Sequence, residues 1–320
     1  MAALDFDRAA TVSEARKVLG KHARSFDLAG RLLPKSRLDD AAVVYAFCRL
    51  VDDAVDDAPD LETARAALEQ LDAELSGQSP ARPMVRAYAE VAERCQIPAE
   101  AARELFIGIA TDLGLVRFES LSDLLRYAYR VAGTVGLMMS GILGVTDPRA
   151  APFAIDLGIG MQLTNIARDV AEDARMDRVY LPGDWLRAAG LSADQILDGS
   201  VRRDALALVV RDLLSLAERY YASGRAGLCY IPLGPRPAIA GAAAVYRAIG
   251  VRILDEGADV MRGRTIVSRQ TKLMELCGAA LTAPLRGLTK TPVHDQALHS
   301  HLHDLPGAHA LSRPRKGAET

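Results

Sequence analysis

Two aspartate pairs, each four residues apart and each closing an apolar run, constrain this chain more than any other feature. The first pair, Asp52 and Asp56, ends the stretch Ala41-Ala42-Val43-Val44-Tyr45-Ala46-Phe47-Cys48-Arg49-Leu50-Val51. In a helix such residues lie almost above one another, ~6 Å apart along the axis. Asp53 and Asp57 form a second ladder, rotated by about 100° from the first. Four carboxylates in six residues repel one another, and the helix C-terminus disfavours negative charge. A solvated acidic face is the ordinary explanation for such a cluster. It fits poorly behind so apolar a run, and an acidic pair closing a buried helix calls for compensating cations.

The second pair, Asp169 and Asp173, follows Gly160-Met161-Gln162-Leu163-Thr164-Asn165-Ile166-Ala167-Arg168. Asn165 stands one turn before Asp169, so Asn165, Asp169 and Asp173 form one oxygen-rich stripe, with Gln162 one position off that face. Either cluster alone is a weak motif; together they describe facing helices able to hold Mg²⁺, a hard ion that shares its shell with substrate phosphates. The remaining charge is balanced by a ligand rich in phosphate oxygens, gripped by Arg24, Arg49, Arg168, Arg178 or Arg264. A P-loop and a kinase signature are both missing, so the acids point to ionisation of a carbon–oxygen bond rather than to phosphoryl transfer.

Alanine and leucine dominate, β-branched runs are scarce, and helical stretches can be drawn between Pro- and Gly-bearing breaks. The breaks at Leu33-Pro34-Lys35 and Ala58-Pro59-Asp60 bracket a helix from about Leu38 to Asp57. No linker precedes residue 288, so residues 1–287 read as one catalytic domain that ends near Leu285. Residues 288–320 lose apolar periodicity and hold five of the six histidines. They read as a flexible tail, with His299, His301 and His303 incidental rather than metal ligands. A net charge of −2, without basic blocks, excludes a nucleic-acid binder. The four dispersed cysteines read as buried free thiols of a reducing cytoplasm. Val131–Val145 is too short and too glycine-rich to span a membrane and reads as a core helix whose Gly133, Gly136, Ser140 and Gly141 either leave space beside it or allow close helix–helix packing. With no leader-like run at the start, a cytoplasmic location is expected.

Taken in order, several motifs resemble the squalene/phytoene synthase family across roughly residues 18–285. They are His22-Ala23-Arg24-Ser25-Phe26, Tyr45 to Asp56, Tyr127 to Met139, Gln162 to Asp173, Arg178-Val179-Tyr180-Leu181-Pro182, and Arg236-Pro237-Ala238-Ile239 with Val245 to Gly250. The Gly136-Leu137-Met138-Met139 segment is most similar to the bacterial phytoene synthases. The resemblance implies an all-α, single isoprenoid-synthase domain with a central cavity. It further implies head-to-head condensation of two geranylgeranyl diphosphates, by way of prephytoene diphosphate, to 15-cis-phytoene in carotenoid biosynthesis. A farnesyl-using relative (dehydrosqualene, hydroxysqualene or squalene synthase) and a non-catalytic scaffold of the same fold are the alternatives. By position, Asp52, Asp56, Asn165, Asp169 and Asp173 are metal ligands, with Mn²⁺ able to replace Mg²⁺ and NADPH not expected. Arg24, Ser25, Tyr45, Arg49, Gln162, Asn165, Arg178 and Arg264 contact substrate, with Arg262 an alternative to Arg264. Tyr127 faces the reacting cation, and His22 is either a packing residue or a phosphate contact. A C40 hydrocarbon product implies peripheral association with the inner face of the membrane.

Overall fold

The computed structural model describes residues 6–285 and 291–309. Among the described residues the chain is almost wholly helical. The helices are α1 (Arg8–His22), α2 (Arg24–Gly30), α3 (Lys35–Asp56), α4 (Leu61–Leu75), α5 (Pro83–Arg94), α6 (Ala99–Ala110) and α7 (Leu121–Ala128). They continue as α8 (Thr134–Leu143), α9 (Ala151–Arg175), α10 (Gly183–Ala188), α11 (Ala193–Leu197), α12 (Arg203–Ala226), α13 (Arg236–Asp255) and α14 (Arg269–Thr282). The two acid-bearing stretches are α3 and α9, and both pairs fall in the last turns of their helices. A single parallel pairing joins β1 (Val116–Arg117) to β2 (Arg178–Val179), with Val116 opposite Arg178.

Helix α9 is the axis of the molecule, flanked by α8, α12 and α13. Val131–Val145 does not form one uniform helix: a π-helical turn over Tyr129–Gly133 joins α7 to α8. Its glycines serve close packing. A Cβ on Gly136 would lie 2.2 Å from the Ala154 carbonyl oxygen of α9, and one on Gly158 the same distance from the Ala132 carbonyl oxygen. Gly141 is likewise pressed against Cys95. Only Gly136 and Ser140 of the four small residues singled out by sequence face the interior cavity. Among the described residues the helix long and apolar enough to cross a membrane by length and composition is instead α13, half buried here against its neighbours and opening on the buried Arg236. All four cysteines are free, but Cys48, Cys95 and Cys229 are only partly buried and Cys277 is exposed.

The expectation of a flexible tail is corrected for residues 291–309; residues 286–290 and 310–320, with the Gly287 boundary, lie outside the described residues. Leu298, Leu302 and Leu305 join the main core, and the Tyr220 hydroxyl donates to the Leu298 carbonyl at 2.8 Å. Tyr129 donates to the Pro306 carbonyl at 2.6 Å, and Arg126 pairs with Asp304 at 2.6 Å. The fastening point is Asp156 on α9, fully buried, whose two oxygens meet His294 Nε2 at 2.8 Å and His299 Nε2 at 2.7 Å. The other ring nitrogen of His299 lies 2.5 Å from the Ala308 carbonyl oxygen. Both of its ring nitrogens therefore face acceptors, so His299 is doubly protonated and forms a buried ion pair with Asp156. Its titration is accordingly shifted upward, burial being opposed by the Asp156 carboxylate. His294 and His299 are thus not incidental; His301 and His303 do not join the cluster.

Removing residues 291–320 should lower the melting temperature by several degrees, because it uncovers apolar core and leaves Asp156 without partners. An unchanged thermal transition would show that this segment does not dock. Replacing Gly158 by Ala should cost about 1–3 kcal/mol of unfolding free energy, read by denaturant titration, because the backbone of the π-helical turn must retreat.

Candidate active site

A cavity of about 530 Å³ runs through the interior, and most of its wall is apolar. Its polar end is built by the two acidic helices: Arg49 and Asp52 on α3, and Gln162, Asn165, Arg168 and Asp169 on α9. Tyr45 and Tyr127 line the same space. Of the sequence-predicted acids, Asp52 from α3 and Asp169 from α9 line this cavity; Asp56 and Asp173 do not line it and are linked to each other through Arg178.

The cations present are shared out among the acids. Arg49, one turn before Asp52, donates to it at 2.9 Å and also pairs with Asp53. Arg168 forks onto the neighbouring Asp169 at 2.7 and 2.5 Å. Arg264 reaches Asp169 at 3.2 Å and Glu172 at 3.7 Å. Arg262 turns away to Asp259, so Arg264 is the arginine that faces the site. Arg178, placed by the β1–β2 pairing, donates to Asp56 at 2.8 Å, and its charge also acts on Asp173.

These pairs do not neutralise the site. Burial, reinforced by Asp56, raises Asp52 to about 7. Burial, reinforced by Asp169, raises Asp173 to about 8. Burial likewise lifts the Tyr45 hydroxyl to about 12. The amide nitrogen of Asn165 donates to Gln162 Oε1 at 3.3 Å, whereas its own Oδ1 is buried without a hydrogen-bond partner. An orphaned amide oxygen near acids of both helices, two of them raised well above the usual carboxylate range, fits a site for a hard divalent cation: an all-oxygen donor set whose charge the protein alone leaves uncompensated.

Around this centre Ser25 is buried at the start of α2, while Arg24 and His22 are exposed. Two residues that sequence reasoning missed belong here. Lys272 on α14 loses basicity through burial and through the charges of Arg168 and Arg24, so three cations converge beside Asp169. Asp112 accepts hydrogen bonds from Tyr127 at 2.9 Å and Tyr180 at 2.8 Å. Neither belongs to a periodic acidic or basic pattern. Asp112 lies in an isolated turn after α6 and meets Tyr180 only through a contact 68 residues away.

The squalene/phytoene synthase family pattern matches residues 19–271. A phytoene synthase from Cereibacter sphaeroides is 37% identical over 96% of this chain and 90% of its own length. A 15-cis-phytoene synthase from a Paracoccus species is 39% identical, covering 82% of this chain and 88% of its own. Among solved structures, a dehydrosqualene synthase in complex with ligand superposes with TM-score 0.75 at 27% identity, over 85% of this chain and 96% of that one. The squalene synthase HpnC from Alicyclobacillus acidocaldarius shares the fold, with TM-score 0.71 at 23% identity over 80% and 98%. The chain belongs to the squalene/phytoene synthase family. It is an all-α prenyltransferase of carotenoid biosynthesis with the activity of the phytoene synthases.

Because folded Asp52 and Asp173 titrate near 7 and 8 against an ordinary 3.8, their contribution to stability is full at low pH and is lost as pH rises through those values. The loss begins near the unfolded value and is complete above the folded ones, so the melting temperature of the metal-free protein should fall between about pH 4 and pH 8 and level off beyond, and Mg²⁺ with inorganic diphosphate should offset the fall. A flat profile, read by scanning calorimetry, would contradict the buried-acid reading.

Proposed function

We propose that the chain condenses two geranylgeranyl diphosphates head to head, by way of a cyclopropyl diphosphate, to 15-cis-phytoene. The observation that carries this is the union of two acidic stripes at the polar end of one apolar cavity. Asp52, Asp56, Asn165, Asp169 and Asp173 would hold Mg²⁺, which Mn²⁺ can replace. The bound ions would supply Lewis acidity toward the leaving diphosphate oxygens. Arg49, Arg178, Arg264 and Lys272 would take those oxygens as the acids engage metal, and the unpaired Arg24 adds a further cation at the rim. The apolar walls, Val131, Val135, Met139, Phe153 and Leu157 among them, would hold the prenyl chains extended and exclude water from the carbocation. No reductant is invoked for the final step, which ends in proton loss.

The choice of the C20 substrate is supported by the phytoene synthase names of the similar relatives and by the Gly136–Met139 segment. The structural similarity to a dehydrosqualene synthase keeps a farnesyl substrate as the second reading. Peripheral docking at the inner face of the membrane would suit so apolar a product. Leu233, Leu281 and Val293 are exposed beside the Leu228–Ile231 wall of the cavity, at the end built by α13 and α14, and suit contact with lipid.

Incubation with Mg²⁺ and geranylgeranyl diphosphate, without NADPH, should yield phytoene. A C30 product from farnesyl diphosphate, with geranylgeranyl diphosphate unused, would overturn the assigned chain length. Asp52→Asn and Asp169→Asn should each lower turnover on the order of a hundredfold or more while leaving the helical circular dichroism intact. Full activity in either variant would refute the shared metal site.

A further inference from the structure

Asp112 sits outside both acidic stripes, in the tight turn Thr111–Leu113 that closes α6. Each of its carboxylate oxygens is taken by one phenol. Tyr180 donates to Oδ1 at 2.8 Å and Tyr127 to Oδ2 at 2.9 Å. The two rings stack with centroids 4.9 Å apart at 24°, and Phe118 packs against both at 5.3 and 5.6 Å. Only Tyr127 lines the cavity. The two hydroxyl oxygens are 3.4 Å apart, yet each phenol has a single hydrogen. With both hydrogens committed to the carboxylate, none remains to bridge the oxygens or to point at a ligand.

We propose that Asp112 is a positioning residue: it holds the Tyr127 hydroxyl with its hydrogen turned to the carboxylate, so that the oxygen lone pairs and the ring face are what the bound substrate meets. A wall presenting the negative end of a phenol dipole, beside apolar lining, stabilises positive charge developing on carbon. It stabilises neutral substrate much less, so the effect falls on turnover rather than on binding. A carboxylate is needed for this. An Asn at the same place accepts through one atom and donates through the other, so one phenol must reverse its hydrogen. Arg178 opposes the cost of burying the Asp112 charge. The β1–β2 pairing holds the chain carrying Tyr180 against the chain carrying Asp112. The inference rests on the prenyl diphosphate reading of the cavity but not on the chain length of the substrate.

The test is a double-mutant cycle of Asp112→Asn and Tyr127→Phe, run on whichever prenyl diphosphate the wild-type enzyme turns over, so that an error in chain length leaves it intact. Asp112→Asn should lower kcat by about tenfold or more, with KM and the half-saturating Mg²⁺ concentration within about twofold of wild type. In the Tyr127→Phe background the same change should add less than about a further twofold. Tyr180→Phe preserves the ring packing and the Tyr127–Asp112 bond, and should keep kcat within about threefold. It reads the proposal even if Asp112→Asn fails to fold. Unchanged kcat in a folded Asp112→Asn, or losses that multiply in the double variant, would overturn the proposal. So would a loss in Tyr180→Phe as large as in Tyr127→Phe. A raised Mg²⁺ requirement in Asp112→Asn would also overturn it, making Asp112 a metal ligand instead.

Discussion

The rest of the structure depends on an electrostatic imbalance: carboxylates from two helices enter one largely apolar cavity with too few cations to satisfy them. Arg49, Arg168, Arg178 and Arg264 each engage an acid, and still Asp52 and Asp173 are pushed to about 7 and 8. A fold optimised for stability alone would not keep this arrangement, since like charges brought together out of water raise the free energy of the native state. The imbalance is relieved when divalent ions and diphosphate arrive, which makes the site a binding apparatus. On the proposed reading the arginines would then change partners, from protein carboxylates to phosphate oxygens, so that one set of side chains would stabilise both the empty and the loaded site.

Such a site works only if α9 cannot shift, and the surrounding structure holds it from two sides. On the cavity side, Gly136 and Gly158 bring the backbones of α8, the π-helical turn and α9 closer than any side chain would allow. On the far side, Asp156 is pinned by His294 and His299. Asp156 precedes Asn165 by nine residues, about 180° around the helix, so the pin and the acidic stripe occupy opposite faces of α9. The segment 291–309 also receives the Tyr129 hydroxyl from the π-helical turn, two residues beyond Tyr127. It therefore braces both walls from outside without touching the cavity.

The acidic stripes were legible because the information is local: residues four apart on one helix share a face whatever the tertiary fold. The helix over Leu38–Asp57 was readable for the same reason, bounded as it is by prolines, and is found at Lys35–Asp56. Asp112 and Lys272 were not readable, because each gains its role from chain segments far away in sequence. For the glycines of residues 131–145, spacing cannot distinguish a lipid channel from a helix crossing; the close approach of Gly136 to Ala154 and of Gly141 to Cys95 decides for the crossing at two positions. The docking of the tail is not evident from long-range periodicity; it rests on Leu298, Leu302 and Leu305, whose spacing of four and three places them on one side even in a chain of short turns. Asp156, an acid amid apolar residues of α9, was the other signal that something basic must cover it.

Calorimetric titration of Mg²⁺ into the protein near pH 7, with and without inorganic diphosphate, tests the central claim most directly. The account predicts strong binding only when diphosphate is present, release of protons from Asp52 and Asp173 on binding, and weakening by substitution in either helix alone. Mg²⁺ binding that needs no diphosphate, releases no protons, or survives substitution of the acids on one of the two helices would contradict it.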